Sequence, residues 1–126
     1  MTNVVFVGDK PSRTNVDSRI AFVGAKCFPR LVEWIRFLKP DYYVCYNIST
    51  PEDFGKIENL KSAGFKVVAL GAKAAEILDG YNIVHFQLPH PSGRNRLLND
   101  RAYVERELKV CYDYIHDYLV GVVSEN

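Results

Sequence analysis

The sequence predicts an α/β sandwich around a mainly parallel sheet, and three features carry that reading. Short apolar, β-branched segments alternate with longer segments whose apolar residues recur at helical spacing, the pattern of successive strand–helix units. The apolar segments run almost without interruption, as buried strands do. The chain has 126 residues, 48% of them hydrophobic, which suits a single domain spanning 1–126 with a core large enough to fold without a metal or disulfide.

The elements follow in order. Asn3 to Val7 (NVVFV) is the first expected strand, stopped by Gly8. Residues 8–24 are rich in glycine, proline and polar side chains and read as a long loop, a feature that compact domains usually keep for function. Lys26 to Leu38 is a helix in which Phe28, Leu31, Val32, Ile35 and Leu38 form one apolar stripe, ended by Pro40. Tyr42 to Tyr46 (YYVCY) is a second strand, closed by Asn47. Thr50 can cap the next helix, with Pro51 at its first position and Glu52 and Asp53 in the first turn, where the helix dipole favours acids. Ile57 and Leu60 face inward, and Gly64 stops that helix. Lys66 to Leu70 is the third strand. Gly71 turns it into a short helix, Ala72 to Leu78, ended by Gly80, and Asn82 to Leu88 is the fourth strand. Pro89 to Asn99 is a second polar loop. Asp100 caps a long last helix whose buried stripe is Val104, Leu108, Cys111, Ile115 and Leu119. Tyr103, Tyr112, Tyr114 and Tyr118 on that helix could cover an interface, although such a face is more often core.

Composition excludes several classes. A net charge of +1 is too small for a protein that coats nucleic acid along its whole surface, but it leaves room for a local basic rim. Cys27, Cys45 and Cys111 lie far apart without CxxC spacing, so neither zinc nor an iron–sulfur cluster is expected; all three read as buried thiols in a reducing compartment. The start, MTNVVFVGDK, lacks the features of a signal peptide, and no segment approaches the ~20 apolar residues of a membrane span. The expectation is a soluble, cytoplasmic monomer with no membrane partner, no metal and no cofactor.

In open sheets of this kind ligands bind beyond the carboxyl ends of the strands. Gly8 to Ser12, Asn47, Gly71 and Pro89 to Arg96 all fall there. Gly8 lets backbone pass close to a ligand. Asp9 either polarises a water and stabilises a cationic sugar or simply hydrogen-bonds its own turn. Phe22, in Ala21-Phe22-Val23-Gly24, either stacks on a base or plugs the core. The Asn47 amide carries a donor and an acceptor that match the edge of a pyrimidine, or it forms a turn. Pro89-His90-Pro91-Ser92-Gly93-Arg94-Asn95-Arg96 is the densest segment. Its prolines stiffen it, neutral His90 can donate to a base carbonyl, Ser92 and loop amides can hold a phosphate, and Arg94 and Arg96 add charge where a backbone would pass. His85 and His116 have no sequence neighbours that suggest a triad or a metal. No nucleophile elbow and no Walker-type phosphate loop is present.

Taken together these segments resemble the uracil-DNA glycosylase superfamily, most closely the bacterial and archaeal branch with a GEAPG or GDAPG first motif. Gly8-Asp9-Lys10-Pro11-Ser12 stands in place of that motif, Ala21-Phe22-Val23-Gly24 in place of the family's Pro-Phe-Val-Gly, and Asn47 in place of its second-strand asparagine. Ala69-Leu70-Gly71-Ala72-Lys73-Ala74 is similar to its Ala-Leu-Gly-x-x-Ala, and His90-Pro91-Ser92 to its histidine motif. The Arg94-Asn95 pair also resembles the single-strand-selective branch. The likeness covers residues 3–110 and departs from the family at Lys10 and Ser12, which replace small residues, and at 93–96, which holds no large apolar wedge.

The resemblance implies a three-layer α/β/α sandwich with a four-stranded parallel sheet in the order 2-1-3-4. It also implies an N-glycosidic hydrolase for uracil or a related deaminated or modified base, in DNA that is single-stranded or uracil-containing, or in a nucleotide. Asp9 and His90 would be catalytic: Asp9 positions water or stabilises the sugar cation, and His90 stabilises charge on uracil O2. Gly8, Phe22 and Asn47 would bind the base. Lys10, Ser12, Ser92, Arg94, Asn95 and Arg96 would meet the nucleic-acid backbone or enter the strand as the base flips out. The alternative is a catalytically inactive or divergent module of the same fold that binds a nucleobase, nucleotide or single strand.

Overall fold

The computed structural model describes residues 2–8, 28–48, 51–91 and 96–116. Its elements are β1 (Asn3–Gly8), α1 (Phe28–Leu38), β2 (Tyr42–Asn47), α2 (Pro51–Ser62), β3 (Lys66–Leu70), α3 (Ala72–Gly80), β4 (Phe86–Leu88), a 3₁₀ turn (Arg96–Asn99) and α4 (Arg101–Ile115). All strand pairings are parallel, and the four strands lie in the order β2-β1-β3-β4. The fold is therefore the α/β/α sandwich that the sequence and the family resemblance lead one to expect.

The sequence dictates this layering through the two-residue period of a strand. Successive side chains of β1 point to opposite faces. Val4 and Phe6 join Leu31, Trp34, Ile35 and Leu38 of α1 and Leu108, Cys111 and Ile115 of α4 in one core. Val5 and Val7 join Phe54 and Ile57 of α2 and Ala74, Ala75 and Leu78 of α3 in the other. Helices α1 and α4 thus cover one face, and α2 and α3 the other. Val4 to Val7 are wholly buried, which is why β1 reads as an unbroken apolar run.

The helix boundaries follow local chemistry. Gly64 takes φ +99° after α2, in the left-handed region that glycine occupies without steric cost, and so stops the helix as expected. The Asp100 carboxylate accepts from the Tyr103 amide at 3.0 Å, capping α4. Thr50, Cys27 and Leu119 lie outside the described residues.

Several expectations need correction. Trp34 and Phe54 are core residues that the apolar stripes passed over, both less than a tenth exposed. Gly80 is helical, and the left-handed position is Asn82 at φ +57°. The reason is that Ile83 donates back to the Leu78 carbonyl at 3.0 Å, so residues 81–83 close α3. Strand β4 accordingly starts at Phe86, not Asn82, and His85 precedes it. Cys45 is half-buried rather than fully buried. Burial nevertheless pushes its thiol up to about 12, and burial with the Glu107 charge does the same to Cys111. Tyr112 and Tyr114 pack against the α1–α4 core, the commoner of the two roles weighed for the tyrosines of α4.

Candidate functional site at the carboxyl edge of the sheet

A parallel sheet presents all its strand-to-helix turns at one edge, and the most open point of that edge is where successive connections depart to opposite faces. In the order β2-β1-β3-β4 this point lies between β1 and β3. The chain leaves β1 at Gly8 toward α1 on one face and leaves β3 at Gly71 toward α3 on the other. Topology thus sets the switch point between Gly8 and Gly71.

Asn47 and His90 flank it. Gly8 and Asn47 are register partners at the ends of β1 and β2, and the Ile48 amide donates to the Gly8 carbonyl at 2.8 Å. This locks the Asn47 backbone beside Gly8. Its side-chain Oδ1 is shielded from solvent and has no hydrogen-bond partner among the described residues. Asn3 Oδ1 is in the same condition at the opposite edge, so lack of a partner does not by itself mark a site. What singles out Asn47 is its place, next to the switch point.

On the other flank, His90 is half-buried and lies over Gly71. Gly71 has φ +99° and ψ 163°, a conformation open essentially only to glycine. Its amide donates to the Leu88 carbonyl at 2.8 Å, tying β3 to the strand that leads into His90. A Cβ built on Gly71 would stand 3.1 Å from His90 Cβ and 3.3 Å from Cδ2. Glycine is therefore required twice over, for its backbone and for the closeness of the imidazole. Pro89 and Pro91, both buried, fix the peptide on either side of His90. Three strand spacings place β2 and β4 roughly 14 Å apart, with the switch point between them.

Beside His90 the edge opens into a cleft of about 620 Å³. Gly71 and Ala72 at the start of α3, Leu88, Pro89 and His90 beyond β4, and Tyr103 and Glu107 of α4 line it. It rounds the end of edge strand β4 from one helical layer to the other. The Tyr103 phenol is raised above its ordinary value by burial, by the Glu107 charge and by its hydrogen bond to Glu107. Neither residue stood out in the sequence. The signal that could have found them is their four-residue spacing on the row that continues to buried Cys111, with Tyr103 in the first turn after a polar loop.

Of the residues expected to form the site, the structure places Gly8, Asn47 and His90 at this edge. Arg96 opens the 3₁₀ turn, its side chain beyond what is described. Asp9, Lys10, Ser12, Phe22, Ser92, Arg94 and Asn95 lie outside the described residues. The two other histidines have structural partners. His116, at the end of α4 rather than within it, donates from Nε2 to the Leu38 carbonyl at 2.8 Å, which leaves Nδ1 to accept from the Thr2 hydroxyl at 3.1 Å. His85 donates from Nδ1 to the Ile83 carbonyl at 2.8 Å, with Asp79 3.8 Å from its Nε2. Among the described residues no group of three or more His, Cys, Asp or Glu side chains is disposed to hold a metal ion, and no helix is long and apolar enough to cross a membrane.

Fold and edge together define the class: a doubly wound parallel α/β sandwich whose topological switch point lies between β1 and β3. Comparisons of the chain with protein-family models, with curated proteins and with solved structures find no match.

Proposed function

We propose that the chain hydrolyses the N-glycosidic bond of uracil or a related deaminated base in DNA. The observation that carries this reading is the Asn47 Oδ1, an acceptor kept from water at the carboxyl end of β2, beside the switch point, with no donor among the described residues. A buried acceptor without a donor is costly to keep. The imide N–H of uracil supplies the donor, and the Asn47 amide nitrogen can donate to the neighbouring carbonyl. His90, held over Gly71 on the other flank, donates to the remaining carbonyl and stabilises the charge that the departing base acquires. Asp9, next after Gly8, supplies the carboxylate that orients water and offsets positive charge on the sugar. Phe22 stacks on the extruded base. Lys10, Ser12, Ser92, Arg94, Asn95 and Arg96 meet the strand, and without a large apolar wedge among them single-stranded DNA is the favoured substrate.

The test is excision from single-stranded oligonucleotides carrying uracil, hypoxanthine, xanthine or a modified pyrimidine, with alkali to cleave any abasic site. The expected result is cleavage of at least the uracil strand, slowed tenfold or more in Asp9→Ala and in His90→Ala proteins that remain folded. Undiminished turnover in both variants, or no abasic site from any base, overturns the assignment.

A further inference from the structure

The cleft beside β4 shares Gly71 and His90 with the edge at the switch point and extends from them to Tyr103 and Glu107 of α4. Its lining is mixed in a particular way. Phe86, Leu88 and Pro89 give apolar walls, the Tyr103 ring adds an aromatic one, and two further polar groups face the same space, the Glu107 carboxylate, held by the Tyr103 hydroxyl, and the Gln87 amide of β4. A volume of about 620 Å³ lies within the range of small-ligand sites and admits a nucleoside-sized group.

Charge decides what can enter. A carboxylate repels a phosphate, so the nucleic-acid backbone does not run through this space. The carboxylate accepts only, and with one hydrogen bond already taken from Tyr103 its remaining lone pairs call for N–H donors. Flat apolar and aromatic walls favour a planar ring over a sugar. We infer that the cleft formed by His90, Tyr103 and Glu107 holds the base next to the excised one, and that Glu107 selects neighbours carrying an exocyclic amino group (cytosine, adenine or guanine) over thymine, whose one ring N–H lies between two carbonyls that the carboxylate repels. The choice of a nucleobase as the ligand rests on the glycosylase reading; the requirement for an N–H donor rests on Glu107 alone.

The test separates binding from catalysis. Short fluorescent single strands carry a tetrahydrofuran abasic analogue, which leaves nothing to excise, flanked by cytosine, adenine or thymine. Binding is read by fluorescence anisotropy at fixed salt. The expected result is about tenfold tighter binding with cytosine or adenine beside the analogue than with thymine, as a hydrogen bond to a charged acceptor confers. Glu107→Gln, isosteric and half-exposed, removes the difference, because an amide can donate to a thymine carbonyl as well as accept from an amino group. Tyr103→Phe, which frees the carboxylate from its tether, narrows the difference to a few-fold. Equal binding across the flanks, no binding by any strand, or a preference that survives Glu107→Gln overturns the inference. Flank preference without excision sinks the catalytic reading and leaves the cleft standing; excision without flank preference does the reverse.

Discussion

Gly71→Ala is the substitution through which backbone, packing and site meet. At φ +99° and ψ 163° an L-residue is strained by about 1–3 kcal/mol. The added Cβ would also sit 3.1 Å from His90 Cβ and 3.3 Å from Cδ2, inside the ~3.5–4.0 Å of comfortable carbon contacts, so His90 must retreat. The expected loss is about 2–4 kcal/mol. For a domain of this size that lowers the melting temperature by roughly 6–15 °C. Gly64→Ala is the matched control, because Gly64 shares φ +99° but a Cβ there would have no non-local atom within 4 Å. It should lose only the conformational part, about 1–2 kcal/mol. The assay is urea denaturation of both variants, with NMR of the His90 ring and uracil excision alongside. Gly71→Ala should shift the ring resonances and slow excision at least tenfold, since small misplacements of a reacting group are costly. Gly64→Ala should do neither. Equal losses of stability in the two variants, with the His90 ring unmoved in both, would refute the packing of His90 on Gly71.

Further outcomes follow from the same structure. Asn47→Ala should change stability by less than about 1 kcal/mol, because the deleted acceptor makes no hydrogen bond among the described residues, yet lower excision about a hundredfold; denaturation and turnover on one preparation check this. Cys45 and Cys111, with thiols pushed up to about 12, are ionised to only about one part in 10⁴ at pH 8 and should resist a disulfide reagent in folded Cys27→Ser protein, both reacting after denaturation. Prompt labelling of Cys45 in the folded state would contradict that. The same thiols stay neutral when folded but ionise when unfolded above pH 9, so the stability they confer is complete below that pH and declines as it rises toward 12. His116→Ala removes the hydrogen bonds to Leu38 and Thr2 that tie the end of α4 to α1 and the start of β1, and should cost about 1–3 kcal/mol in denaturant unfolding.

The fold was legible because its signals are local and repeated. NVVFV and KVVAL are continuous apolar runs that only a doubly covered strand explains, and Gly64 and Asp100 mark helix ends through chemistry that works within a few residues. The failures were tertiary. Trp34 and Phe54 escaped the stripes because a helix packed at an angle buries more than a single row, and Asn82 to His85 resembled strand because an apolar run does not reveal that its backbone is closing the preceding helix. The site divides in the same way. Asn47 and His90 were readable as polar residues at strand ends, but their relation to Gly8 and Gly71 depends on strand order, which composition does not encode. Tyr103 and Glu107 belong to a helix whose periodicity announces only its core face, so their shared cleft became visible only when α4 was placed beside β4.

The account stands on one spatial claim, that Asn47 and His90 serve a single planar guest from opposite flanks of the switch point. Titration of isotope-labelled protein with free uracil measures this most directly. The Asn47 side-chain amide, the Gly8 backbone amide and the His90 ring should all shift along one binding curve with a shared dissociation constant. Uracil that moves His90 while leaving Asn47 and Gly8 untouched, or that moves them along separate curves, would contradict it.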